Sequence, residues 1–106
     1  MVTIITADTF LSTISETQMP VVIDFWAAWC GPCRSFSSVL ERVAEDYEGQ
    51  ILVGKVNVDE EPTLAEKFRV MSIPTVCIFQ GGELKETLVG SRSYQDLTEV
   101  VGQYLG

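Results

Sequence analysis

The chain has 106 residues, with 15 acidic against 7 basic side chains, a net charge of −8, no histidine and 46% hydrophobic residues. That length supports one core, so residues 1–106 are expected to form one domain, and the balanced composition excludes a disordered chain or a coiled coil. The acidic surplus repels phosphate backbones and anionic lipid surfaces, which removes nucleic acid and membranes from the expected partners.

In chain order, Val2 to Thr6 is a short β-prone run, and Thr6 offers a side-chain oxygen to start a helix with Phe10, Leu11 and Ile14 on one face. Pro20 ends that helix and opens Val21 to Ala27, a run apolar on both faces, as a strand inside a sheet requires; Asp24 is its one discordant residue. From Pro32 onward, Phe36, Val39, Leu40, Val43, Ala44 and Tyr47 recur at helical spacing, with Gly49 available as a left-handed stop. Ile51 to Val58 predicts another strand, Pro62 to Phe68 a short helix, and Thr75 to Phe79 a third buried strand. Gln80-Gly81-Gly82-Glu83 signals a hairpin, which makes Leu84 to Val89 antiparallel to its predecessor. Ser93-Tyr94-Gln95-Asp96 resembles a capping box and opens a last helix with Leu97, Val100, Val101, Tyr104 and Leu105 on one face.

The order βαβαβαββα implies an α/β class, with a central mixed sheet carrying helices on both faces, because parallel strands joined by helices need right-handed crossovers. No apolar stretch approaches the ~20 residues of a membrane span, and Met1 to Thr6 lacks the basic flank of an export signal, so a cytoplasmic protein is expected.

Three cysteines and no histidine cannot form a fully paired disulfide framework, and a closed four-ligand zinc site would need outside help. No metal and no bound cofactor are expected. Cys30 and Cys33 fall at the turn from a buried strand into a helix, at the carboxyl end of the sheet, where crevices form in such folds. On helical geometry their Cα atoms lie about 5 Å apart, within reach of a disulfide, and Cys33 leans back toward Cys30. If Cys30 caps the helix, its sulfur accepts the Cys33 N–H, and the positive helix start favours its thiolate. Cys30 is thus expected to be the exposed nucleophile and Cys33, one turn in, the resolving thiol. Cys77, between Val76 and Ile78 in an apolar strand, reads as a small buried hydrophobe without a catalytic part.

The run Trp26-Ala27-Ala28-Trp29-Cys30-Gly31-Pro32-Cys33 resembles the active-site sequence of the thioredoxin family, and the likeness extends over nearly the whole chain. The resemblance implies a thioredoxin fold with a five-stranded mixed sheet flanked by four helices. It further implies a redox-active Cys30–Cys33 disulfide, electrons from a thioredoxin reductase, oxidised protein substrates and a monomer. By the same resemblance Asp24 occupies the place of the buried active-site aspartate and Lys55 that of its associated lysine. Ile73-Pro74-Thr75 matches the cis-proline segment facing the disulfide, and Gly82 and Gly90 also fit. Trp29, Gly31, Pro32, Ile73, Pro74 and Gly90 then form the expected substrate-docking surface. Alternation along the strand also sets Asp24 on the face of Val22 and Trp26, beneath the thiols, where burial raises a carboxyl pKa. For Lys55 an outward, solvent-reaching side chain is the alternative.

Two positions depart from the family pattern. Ser38 stands where a helix-kinking proline is usual, and Ser72 where glycine is usual, so Ser72 is not expected to need a glycine-only conformation. The leading expectation is a protein-disulfide reductase. Its rivals are an oxidant or isomerase of the same fold, disfavoured by Gly31-Pro32 and the lack of histidine, a non-catalytic binding module, and a metal or iron–sulfur carrier across a dimer.

Overall fold

The computed structural model describes Met1–Gly106, the whole chain. Its elements are β1 (Val2–Ile4), α1 (Ala7–Ser15), β2 (Val21–Trp26), α2 (Gly31–Asp46), β3 (Leu52–Asn57), α3 (Pro62–Lys67), β4 (Thr75–Gln80), β5 (Glu83–Val89) and α4 (Tyr94–Gly102). They build one five-stranded sheet in the order β1-β3-β2-β4-β5. β1, β3 and β2 are parallel, while β4 runs antiparallel to β2 and β5 to β4. This is the mixed sheet with four helices that the element order predicts.

Central β2 is apolar throughout except at Asp24, because both of its faces are covered. Val22, Val53, Val76 and Ile78 pack beneath α2 and α4, against Phe36, Leu40, Val43, Leu97 and Val101. On the opposite face Val21, Ile23, Phe25, Val56 and Phe79 meet Phe10 and Ile14 of α1 and Leu64 of α3. The Phe10, Phe68 and Phe79 rings close that layer with centroids 5.1 to 5.5 Å apart, two of the three contacts edge-on, as the quadrupoles of aromatic rings favour. Cys77 belongs to this layer and is fully buried.

Three local expectations are corrected. Leu11 is 67% exposed, because it lies about 100° of helical rotation from Phe10, whereas Phe10 and Ile14 stack one turn apart on the sheet. Gly49 does adopt φ +83°, but it lies two residues beyond the α2 cap, Tyr47, and turns the chain toward β3 rather than ending the helix. β1 stops at Ile4, after which Ile5 keeps one bond to the Lys55 carbonyl (2.9 Å) while its side chain enters the core. A close approach governs Gly54 in β3, where any Cβ would overlap the Ile5 side chain.

Both departures from the family pattern are quiet. α2 runs unbroken through Ser38, whose hydroxyl donates to the Ser35 carbonyl (3.1 Å), and Ser72 is not left-handed, since Arg69 alone among non-glycine residues has positive φ. One long-range cap was not legible in the sequence. The Glu61 carboxylate, at the start of α3, accepts the Ala7 N–H at 2.6 Å and thereby holds the first turn of α1.

Candidate active site

The residues between β2 and α2 form a tight turn because Cys30 donates its N–H to the Ala27 carbonyl (3.2 Å) and then caps the helix. Its Sγ accepts the Cys33 N–H at 3.2 Å, taking up a donor that the first helical turn otherwise leaves free. Pro32 in this first turn has no N–H to satisfy. Cys30 and Cys33 are disulfide-bonded, with Cα atoms 5.3 Å apart.

Cys30 is not the exposed residue the sequence suggests. It is 5% exposed and Cys33 2%, because Ala27, Trp26, Val58 and Ile73 pack around the bridge. The two sulfurs differ instead in what they face. Cys30 borders an open groove of about 450 Å³ lined by Trp29, Gly31, Pro32, Val58, Met71 and Ile73, among others. Cys33 borders a separate cavity of about 280 Å³, shared with Asp24, Trp26, Ser37, Leu40 and Lys55.

Asp24 is 2% exposed and its Oδ1 has no hydrogen-bond partner. Burial pushes its pKa from 3.8 up to about 7, and the positive charge of Lys55 acts in the opposite direction. Lys55 sits opposite Asp24 in the parallel β2–β3 register, which places the two side chains on the same face. It forms no ion pair; its Nζ lies over the Trp26 ring, 4.9 Å from the centroid. Lys55 therefore moderates the penalty on the carboxylate without removing it.

Across the groove, the Ile73–Pro74 peptide is cis, and the Ile73 carbonyl faces Cys30 Sγ at 3.8 Å. None of the chain's hydrogen bonds uses the Ile73 N–H. Pro74 is buried behind this edge, and its carbonyl accepts the Gly90 N–H at 2.8 Å, with Gly90 at φ +92°. The structure thus brings Trp29, Gly31, Pro32 and Ile73 to the groove wall and sets Pro74 and Gly90 in the layer supporting it.

Several residues of this site escape sequence reasoning. Asp59 accepts the Trp29 indole N–H at 2.9 Å and so fixes a side chain that is 69% exposed. Its own N–H is held by Asn57 Oδ1 (2.9 Å), and an Asn-x-Asp turn at the carboxyl end of a parallel strand is the signal that points to it. Arg34 donates to the Ala28 carbonyl at 3.0 Å and braces the active turn from α2. Val58, Val70 and Met71 complete the groove from loops whose placement depends on tertiary folding.

A cysteine pair bridged at a helix start, over a buried carboxylate and on this mixed sheet, is an arrangement chemically able to open and close by dithiol–disulfide exchange. The thioredoxin family model matches residues 1–103, and the chain belongs to the thioredoxin family. It is 45% identical over 93 residues to "Thioredoxin M-type, chloroplastic" of Zea mays, covering 88% of this chain and 56% of the maize protein. It is 41% identical over 101 residues to "Thioredoxin 1" of Nostoc sp., covering 95% of this chain and 94% of that protein. To "Thioredoxin" of Streptomyces clavuligerus it is 47% identical over 88 residues, covering 83% and 81%. The chain spans about half the length of the maize and spinach relatives and nearly all of the Nostoc one. No helix is long and apolar enough to cross a membrane.

Proposed function

We propose that the protein reduces disulfides in oxidised proteins by dithiol–disulfide exchange through Cys30 and Cys33. The observation that carries this reading is the capping arrangement, with Cys33 N–H on Cys30 Sγ and the groove opening on Cys30 alone of the two sulfurs. In the reduced protein the same N–H and the helix start stabilise negative charge on Cys30, so its thiolate is the attacking species. It bonds to one sulfur of the target disulfide and the other leaves as a thiolate. Cys33 then attacks Cys30, its proton passing to Asp24, and the second target sulfur is released as the Cys30–Cys33 bond forms.

An extended target segment fits the groove because the Ile73 N–H stands free for strand-like pairing beside a carbonyl that faces Cys30 Sγ, while Trp29 and Pro32 give apolar contact on either side of Cys30. Gly31 leaves that approach clear, since apart from its chain neighbours and the backbone of its own helix no atom stands within 4 Å of where a Cβ would lie. Pro74 and Gly90 support the Ile73 edge, and Lys55 tunes Asp24. Reoxidised protein is returned to the dithiol by a thioredoxin reductase, and no bound cofactor takes part.

The cycle needs a reducing compartment, and we place the protein in the cytoplasm, working as a monomer because both thiols and the carboxylate come from one chain. Localisation by fractionation and mass by size exclusion test those two points. The activity itself is tested by insulin-disulfide reduction with a dithiol donor, comparing the protein with a variant carrying Cys30→Ser and Cys33→Ser. Equal rates would overturn the reading.

A further inference from the structure

Met71 is 95% exposed, more than any other large apolar side chain, and it stands on the rim of the groove that opens on Cys30. An apolar group held wholly in water gains burial only when a partner covers it. The unbranched, polarisable thioether adapts to differently shaped surfaces, which suits a groove that receives many targets. The same exposure leaves its sulfur open to chemistry. Met1 is the other strongly exposed methionine, at 85%, and lies outside the groove, whereas Met19 is half-buried.

We propose that Met71 is a peroxide-sensitive modification site that tunes target docking, an inference that rests on the reductase reading above. The thioether sulfur attacks one oxygen of hydrogen peroxide. The S–O bond forms as the O–O bond breaks, the sulfur gives two electrons to peroxide, and the second oxygen leaves as water. The product carries a strong polar acceptor where a target presents apolar surface, so docking weakens while the thiols keep their chemistry. Methionine sulfoxide reductases reverse the change, which makes the site a switch rather than a lesion.

The test treats the disulfide form with peroxide, because bridged Cys30 and Cys33 are then protected and Cys77 is buried. Peptide mass mapping follows oxidation at Met1, Met19 and Met71. KM and kcat for insulin are then measured after peroxide is removed, each protein being compared with its own untreated sample. The expected result is rapid oxidation of Met71, a KM raised about tenfold (about 1.4 kcal/mol) with kcat little changed, and recovery on incubation with the sulfoxide reductases. Met71→Leu, treated identically, should show no rise. Three results would each overturn the inference: Met71 intact when Met1 is oxidised, a mapped Met71 sulfoxide with unchanged KM, or the same rise in Met71→Leu. An untreated protein that fails to reduce insulin removes the reductase reading and the inference with it, an outcome visible before any peroxide is added.

Discussion

Replacing Asp24 by asparagine should separate stability from function, and the size of the effect follows from its burial. The carboxyl titrates at about 7 in the folded protein against 3.8 ordinarily, a difference equivalent to about 4 kcal/mol. Below about pH 3 the group is largely neutral in both the folded and the unfolded chain and imposes no penalty. Between pH 4 and 7 the unfolded chain has released the proton and the folded one has kept it, so stability falls as pH rises. Above 7 the loss is complete. Asparagine keeps the shape and removes the ionisation, yet leaves a buried polar group short of a partner at a cost of about 1–3 kcal/mol. The oxidised Asp24→Asn protein should thus be more stable than the parent by about 1–3 kcal/mol at pH 8.5 and no more stable at pH 4. Urea unfolding at four pH values reads this difference directly. Stopped-flow reduction of a target disulfide should in turn lose the component of the rate that rises through pH 7, because Cys33 no longer has its proton acceptor. A stability difference that does not change with pH, or a variant less stable at pH 8.5, would refute the burial argument. An unaltered pH–rate profile would refute the proton transfer.

In the reduced protein, iodoacetamide at neutral pH should modify Cys30 well before Cys33 or Cys77, as mass mapping will show, because only Cys30 combines the helix start with the open groove. Cys77 should be slowest, since burial raises its thiol pKa above 9.0. Cys33→Ser should accumulate a mixed disulfide between Cys30 and its target, visible on a non-reducing gel; continued turnover in that variant would remove Cys33 from the resolving role. Gly54→Ala should destabilise the fold by about 1–3 kcal/mol through overpacking against Ile5, with turnover unchanged, and a melt matching the parent would show that Ile5 simply moves aside.

The class of fold was legible because local chemistry and global arrangement agree: β-branched runs, prolines and glycines at the turns, and helical spacing in α2 and α4 each announce an element before any contact is known. The cysteine pair was legible for the same reason, since capping and the geometry of one helical turn are local and fix both the Cα separation and the bond from Cys33 N–H to Cys30 Sγ. Asp24 was readable as buried because a single charge interrupts an apolar run. The surroundings of these residues are long-range and have no such signal. Trp29 meets Asp59 across 30 positions, Ala7 meets Glu61 across 54, and Cys30 faces Ile73 across 43. That Cys30 is nearly covered, that Lys55 lies over Trp26 instead of pairing with Asp24, and that Leu11 is left outside were likewise decided by packing. Periodicity states which way a side chain points along its own element; what stands opposite, and how closely, depends on how sheet and helices fill space together.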